Sequence, residues 1–169
     1  MGEYTGAYNN ELITHGLNTL SDWRTCVLGN TSYAAGTTFL FNVREKSNAN
    51  GTTIYNNAEQ ISNASTNPYE TVDDAPFSVG ARYNGDYTVD GKVLEVISYS
   101  SRNSNAEKEK IESYLAVKYG ITLGSTASPL NYVSSNGSLI WTGDATYQND
   151  IIGIGRDDAS DLICLLYTS

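Results

Sequence analysis

The sequence is poor in charge, and most of the charge it has is negative. Charged residues make up 17% of the 169 residues, and 19 Asp and Glu face 10 Lys and Arg, for a formal net charge of −9. A nucleic-acid groove needs a basic surface that neutralises phosphates. The composition therefore argues against a nucleic-acid partner, and equally against an anionic membrane surface.

Long hydrophobic runs are missing as well. The chain has no stretch of the roughly 18 apolar residues that a membrane-spanning helix needs, so we expect no membrane insertion. Met1 is not followed by a basic segment and an apolar core, so no signal peptide is visible. If the protein is secreted, we expect its signal to lie in a part of the gene outside this fragment.

Histidine and cysteine, the residues of many catalytic and metal sites, are almost absent. His15 is the single histidine, and no G-x-S-x-G motif marks a nucleophilic serine. Cys26 and Cys164 stand far apart, which leaves both a disulfide and two unpaired thiols open. We predict no catalytic residue and no certain cofactor, and we interpret the histidine as a surface loop residue.

What the chain has in abundance are Asn, Ser, Thr, Gly and Tyr, a mixture typical of short strands joined by polar turns. Alternating apolar residues predict strands over Thr37–Glu45 and Pro76–Tyr83. Asn50-Gly51 predicts a hairpin turn, because both residues tolerate positive φ, and Thr52–Asn56 is then the return strand that pairs with Thr37–Glu45. We expect Ile54 to point inward and the residues from 62 to 75 to form a long polar loop.

The stretch from Asp90 to Leu123 carries the strongest local signals. Val93–Tyr99 is rich in β-branched and aromatic residues with apolar side chains on both faces, which predicts a central strand covered on both sides. A helix is predicted at about 105–119. Ser104 and Glu107 have the spacing of a capping box, and Gly120 stands where a left-handed C-cap belongs.

This strand and helix together resemble a known domain family. The LEVISY strand joined to SYLAVKYGITL is similar to the last strand and closing helix of bacterial concanavalin A-like, laminin-G-like domains, jelly-roll sandwiches of very large secreted surface proteins. The resemblance covers residues 90–123 closely and reaches back loosely to about residue 36. It implies an all-β fold, an antiparallel β-sandwich (here its C-terminal part) closed by one α-helix, at the cell surface or outside the cell.

The resemblance also implies a domain organisation. Residues 1–123 are expected to be the sandwich, and we expect Met1 to lie inside a domain because the first 35 residues supply few strands. Residues 124–161 resemble the start of a second β-rich domain, with NDIIGIGRDDAS as its opening. Residues 162–169 (LICLLYTS) resemble sequencing-adapter sequence read as protein, so we interpret them as an artefactual tail outside the fold.

Loop tyrosines are the leading candidates for ligand binding. Tyr69, Tyr83 and Tyr87 fall in or beside predicted loops, where exposed rings can stack on sugar faces. Ordinary packing of half-buried rings on a β-surface remains an open alternative. Tyr99 and Tyr114, in contrast, are expected in the core.

Loop carboxylates form a possible calcium site. The predicted loops carry acidic residues near the rim of the expected sandwich, and calcium prefers six to eight oxygen ligands. These residues are Asp73, Asp74, Asp86 and Asp90. Their spacing is not that of a known calcium loop, so solvated turns remain the alternative to a Ca²⁺ site.

Function follows from the resemblance and from a missing carboxylate cluster. Sandwiches of this superfamily include glycoside hydrolases and lyases, and a retaining hydrolase needs two carboxyls about 5–5.5 Å apart. Glu95 is the only carboxylate inside a strong strand, and by analogy with the family it is expected to be structural. We therefore expect a non-enzymatic binding or adhesion module, with glycans or surface polysaccharide and the neighbouring domains of the same chain as partners. The alternatives are a fragment of a polysaccharide-degrading enzyme and a passive spacer.

Overall fold

A computed structural model describes residues 13–19, 22–27, 36–44, 53–62, 79–80, 90–149, 152–160 and 162–167 of the chain. The described elements are short strands in small antiparallel sheets and one α-helix, so the fold is β-rich. The strands are β1 (Ile13–Thr19), β2 (Asp22–Val27), β3 (Phe41–Arg44), β4 (Thr53–Asn56), β5 (Glu59–Ser62), β6 (Gly124–Ser125), β7 (Ser128–Pro129), β8 (Tyr132–Val133), β9 (Leu139–Trp141), β10 (Ile152–Asp157) and β11 (Leu162–Tyr167). The helix, α1, spans Asn105–Tyr119.

A three-stranded sheet in the order β3-β4-β5 is linked to α1 by side-chain hydrogen bonds from Asn42 and Arg44. Two of its strands, β3 and β4, lie where strands were predicted, and Ile54 is fully buried as expected. The predicted turn Asn50-Gly51 lies outside the described residues. The next turn was missed: Asn57 and Ala58 both have positive φ (45° and 69°) and connect β4 to β5 in a tight hairpin.

The ends of α1 confirm the predicted capping. The Ser104 side chain accepts a hydrogen bond from the Glu107 N–H, and the Glu107 carboxylate accepts one from the Ser104 N–H. Gly120 has φ 66° and ψ 39°, and its N–H bonds to the Ala116 carbonyl. These contacts satisfy backbone groups that a helix end leaves without a partner. They can be predicted from the sequence because the residues involved lie within one turn of each other.

The predicted central strand Val93–Tyr99 is wrong. The structure assigns no strand to the residues from Lys92 to Tyr99, here called the flanking segment, and leaves their apolar side chains exposed. Val93, Leu94 and Val96 are 56%, 57% and 50% exposed. A strand exists only when a second strand completes its hydrogen bonds, and in the described part of the chain none pairs with this segment.

The main core lies between α1, the residues that directly follow the helix and the β8–β9 hairpin. Its buried residues are Leu40, Ala58, Ala116, Val117, Ile121, Leu123 and Tyr132. Tyr132 is completely buried, and its hydroxyl accepts from the Leu123 N–H at 2.9 Å and donates to the Ile121 carbonyl at 3.1 Å. The core therefore joins residues on both sides of the domain boundary predicted after Leu123; the boundary itself stays a prediction.

The C-terminal residues take part in the described structure. β11 pairs with β10 in an antiparallel hairpin and contacts α1. The structure thus includes Leu162–Tyr167 in a hairpin, which differs from the expectation that residues 162–169 stay outside the fold. The origin assigned to this tail from its sequence stays a prediction.

Among the described residues, no helix is long and apolar enough to cross a bilayer.

Candidate functional site

The flanking segment and α1 enclose a groove in the described surface, here called the α1 groove. It has a volume of about 330 Å³ and is open to solvent on one side. The β8–β9 hairpin and the end of β10 complete its wall. Its lining is mostly apolar with a few polar groups: Ile97, Tyr99, Lys110, Ile111, Ser113, Tyr114, Val117, Val133, Ser135, Ile140 and Asp157.

A charged cluster holds the flanking segment against the last turns of α1. The Glu95 carboxylate accepts hydrogen bonds from Lys118 Nζ at 2.9 Å and from the Tyr119 hydroxyl at 2.7 Å. Lys118 Nζ also donates to the Tyr114 hydroxyl at 2.7 Å. The bond from Lys118, reinforced by that from Tyr119, holds the pKa of Glu95 below its usual value. Glu95 is thus ionised and occupied by neighbouring side chains, as expected of a structural carboxylate.

The pKa values of the other two partners in this cluster, Lys118 and Tyr119, are both raised. The bonds that Lys118 makes to Tyr114 and to Glu95 raise the lysine pKa well above its ordinary value. The bond to Glu95 raises the pKa of the Tyr119 hydroxyl. At neutral pH the lysine is therefore charged and the tyrosine protonated, so neither is poised to act as a base.

The far wall of the α1 groove is fixed by hydrogen bonds to backbone and hydroxyl groups. The Asp157 carboxylate accepts from the Ser135 N–H at 2.7 Å and from its hydroxyl at 2.6 Å. The Ser113 hydroxyl accepts from the Val133 N–H at 3.0 Å, which ties the middle of α1 to β8. These bonds give Asp157 a structural role and tie the wall of the groove to α1.

On its opposite side, α1 meets the three-stranded sheet through a buried ion pair. Lys108 Nζ lies 2.7 Å from Glu112 Oε2, and the carboxylate is only 1% exposed. Asn42 Nδ2 donates to Glu112 Oε1 at 3.0 Å, and Lys108 Nζ sits 4.0 Å above the centre of the Tyr55 ring. Burial raises the pKa of the Glu112 carboxyl against the opposing effect of Lys108 and Asn42, because desolvation disfavours the ionised form.

A small polar pocket of about 230 Å³ lies beside this pair, lined by Tyr55, Gln60, Asn105, Lys108 and Glu109. Arg44 closes the region, donating to the Tyr55 hydroxyl, to Asn105 Oδ1 and to the Asn103 carbonyl. Glu112 is too deeply buried to meet a substrate, and Lys108 already contacts Glu112 and the Ala58 carbonyl. We interpret this region as the joint between helix and sheet.

Most of the predicted site residues lie outside the described part of the chain: Tyr69, Tyr83, Tyr87, Asp73, Asp74 and Asp86. Asp90 is described and is exposed at a bend. No group of three or more His, Cys, Asp or Glu side chains suited to a metal ion occurs among the described residues. The calcium site therefore stays a prediction that the described residues do not test.

Tyr99 was missed as a groove residue because the apolar residues on both faces of Val93–Tyr99 were interpreted as burial on both faces. Tyr99, expected in the core, is 54% exposed, and Tyr114 is half-buried in the groove wall. The ion pair between helix and sheet could have been predicted from the sequence, because Lys108 and Glu112 lie four residues apart, the spacing of an ion pair on one helical face. That spacing does not reveal that this face is buried.

Comparison with protein-family models finds a match over residues 107–164 to a family described as "Domain of unknown function (DUF8202)". The match begins in α1 and ends within β11, so it spans roughly a third of the chain. Comparisons with curated proteins and with solved structures find no match. The description of the matched family names no activity, and the functional argument therefore depends on the geometry.

Proposed function

We propose that this protein is a non-enzymatic binding and adhesion module of a large extracellular bacterial surface protein, with glycans as its ligands. We further propose that the three-stranded sheet and α1 belong to the C-terminal part of a concanavalin A-like sandwich. The neighbouring domains of the same long chain would then be its covalent partners. The resemblance of residues 90–123 supports this placement, and the α1 groove supports the binding role.

The α1 groove carries the proposal because its lining combines aromatic rings with hydrogen-bonding groups. Tyr99 and Tyr114 line it together with Lys110 and Ser135. Sugar recognition uses rings that stack on the apolar face of a pyranose and polar groups that bind its hydroxyls. A volume of about 330 Å³ is at the lower end of the range typical of small-molecule pockets, in keeping with one or two sugar units.

The state of the described carboxylates favours binding over hydrolysis. A glycosidase needs one carboxyl to donate a proton and a second to attack or to activate water, both reachable from one sugar bond. Glu95 is held by Lys118 and Tyr119, and Asp157 by Ser135. Glu112 is buried in the joint. Each of these three carboxylates thus has a structural role, which supports the non-enzymatic proposal.

The experiment pairs a glycan array with a reducing-sugar release assay on the same protein. We expect weak binding to a subset of glycans and no release of oligosaccharide. Affinity per site should be modest, because sugar hydroxyls exchange bonds with water for bonds with protein. Repetition of such modules along a large protein would supply avidity.

Two tyrosine variants locate the site. Tyr99→Ala should abolish array binding, whereas Tyr147→Ala, which removes a ring that is 61% exposed but outside the α1 groove, should leave it intact. Both side chains are largely exposed, so both variants should fold. The proposal is overturned if neither the parent protein nor the control Tyr147→Ala binds any glycan. It is also overturned if the parent releases sugar and Glu95→Gln abolishes that release.

A further inference from the structure

The lining of the α1 groove contains a cation, Lys110, that is not bonded to a carboxylate. Its side chain is half-buried, and in the described part of the chain its ammonium group makes no hydrogen bond and no ion pair. Glu107 interacts with it electrostatically, but the Glu107 carboxylate already caps the N-terminus of α1. A lysine ammonium has three donors and no acceptor, so the groove contains donors that lack a protein partner.

The Lys110 side chain lies against the turn between β8 and β9. A Cβ at Gly137 would lie 3.3 Å from Lys110 Cε and 3.7 Å from its Nζ, which shows how closely the lysine approaches this glycine. Gly137 has φ 88°, in the left-handed region that glycine adopts without strain. The turn therefore leaves space for the lysine side chain between α1 and the β8–β9 hairpin.

Tyr114 adds a second donor to the same groove. It lies four residues after Lys110, hence on the same face of α1, and both residues line the groove. The Tyr114 hydroxyl oxygen accepts a bond from Lys118 Nζ at 2.7 Å, so the phenolic proton is left to be donated elsewhere. Among the described residues no group accepts that proton. Two side chains of one helical face thus have donors to offer to a ligand.

Two acceptors of the groove are, in contrast, engaged within the protein. Each oxygen of Asp157 accepts a bond from Ser135, at 2.7 and 2.6 Å, and the Ser113 hydroxyl accepts from the Val133 N–H. A lining with donors to spare, one of them cationic, favours a ligand that brings negatively charged acceptors. The net charge of −9 disfavours anions at long range, but charges more than about 8 Å away are largely screened at physiological salt.

We propose that the α1 groove binds acidic sugars and that Lys110 is the residue that selects them over neutral ones. The anionic group of the sugar, a carboxylate or a sulfate, accepts hydrogen bonds from Lys110 Nζ and from the Tyr114 hydroxyl. The rings of Tyr99 and Tyr114 contact the rest of the sugar. This inference rests on the proposed glycan binding and adds the chemical class of the ligand to it.

The test compares sugars that differ only in the group at carbon 6. Methyl glycosides of glucose, galactose and mannose are the neutral ligands, and their uronic acids, neutral uronamides and 6-sulfates are the matched partners. Titration of the whole chain followed by NMR should give a Kd at least about fivefold lower for an acidic sugar than for its neutral parent and its uronamide. The difference should shrink at high salt. The larger of the two acidic effects identifies carboxylate or sulfate as the preferred group.

Three lysine variants assign the preference to one side chain. Lys110→Met removes the charge and keeps an unbranched apolar chain, so the affinity for the acidic sugar should fall to that for the neutral one, with the neutral affinity unchanged. Lys110→Arg restores a cation and should retain the preference. Lys92→Met, the same change at an exposed lysine outside the groove, should bind both sugars as the parent does. Neither lysine is buried, so circular dichroism should show all three variants folded.

The possible failures separate this inference from the proposed function. Equal affinity for acidic and neutral sugars would overturn the acidic preference and leave glycan binding standing. A preference that survives Lys110→Met, or a loss of affinity that is the same for both sugars, would overturn the role of Lys110 as the selecting residue. Binding of no sugar in any series would overturn the proposed function and this inference together.

Discussion

The two sides of α1 are held by the same kind of chemistry in opposite environments. On the sheet side, Lys108 and Glu112 form an ion pair whose side chains are 10% and 1% exposed. On the groove side, Lys118 and Glu95 form one whose side chains are 38% and 25% exposed. The comparison shows that the presence of an ion pair does not by itself indicate how much it stabilises the fold. Exposure to water determines both the strength of the pair and the free energy lost when one partner is removed.

The largest effect is expected from breaking the buried pair. Lys108→Met leaves Glu112 buried without its cation, which should destabilise the fold by about 3–5 kcal/mol. Urea unfolding followed by circular dichroism measures it. Lys92→Met, at an exposed lysine, is the control and should stay within about 0.5 kcal/mol of the parent.

The double variant Lys108→Met with Glu112→Leu sharpens the same contrast. Replacing both charges by apolar side chains removes the desolvation penalty, so much of the lost stability should return. A double variant as unstable as Lys108→Met alone would mean that the bond from Asn42 to Glu112, not the ion pair, holds the joint together.

A smaller loss is expected where the core depends on a hydroxyl group. Tyr132→Phe leaves the Leu123 N–H and the Ile121 carbonyl buried without their partner, and should destabilise by about 1–3 kcal/mol. The edge-to-face contact with Trp141, with centroids 5.9 Å apart, should survive. Thermal unfolding of this variant is compared with that of Tyr147→Phe, whose ring is exposed and whose change should be silent.

The pH dependence of stability should have opposite signs at the two carboxylates. Burial raises the folded-state pKa of Glu112 above its unfolded value of about 4.5. Protonated Glu112 therefore favours folding, and this contribution is present below the unfolded pKa and lost as pH rises through the folded one. Relative to Glu112→Gln, the parent should lose stability as pH rises above about 4.5, as measured by urea midpoints across that range. A flat difference would contradict the assigned shift.

The smallest effect is expected on the groove side. The folded pKa of Glu95 lies below its unfolded value of about 4.5, so its contribution is present above that value and lost as pH falls through the folded pKa. Solvent screens this exposed pair, so Glu95→Gln should shift the urea midpoint only slightly at neutral pH, and the difference should vanish in acid. A large loss at neutral pH would show that the flanking segment depends on this contact.

Local signals predicted local structure in this chain. The capping box of Ser104 and Glu107 and the C-cap at Gly120 were readable because each involves residues within one turn of α1. Alternation located β3, and the hairpin signal Asn50-Gly51 located β4 as its return strand, because both patterns lie in neighbouring residues. The turn at Asn57-Ala58 was missed because alanine rarely adopts positive φ and carries no turn signal.

The candidate site was less predictable because it depends on residues far apart in sequence. Tyr99 and Tyr114 meet Val133 and Ile140 in the α1 groove, and no spacing within the chain announces that meeting. The buried pair is similar: its i, i+4 spacing is local, but the Asn42 bond that completes it comes from 70 residues away. The carboxylates could be counted from the sequence. Their hydrogen bonds to Lys118, Lys108 and Ser135 could not be predicted from it.

By itself, the sequence determined the helix, its two caps, the period of the strands and the negative charge of the chain. These follow from backbone sterics, local hydrogen bonds and a count of ionisable groups. The tertiary structure decided which helical face is buried, and it left Lys92–Tyr99 exposed although its composition favours a strand. The physical reason is that burial and strand pairing each need two complementary surfaces, whereas the sequence of a segment determines only the surface of that segment.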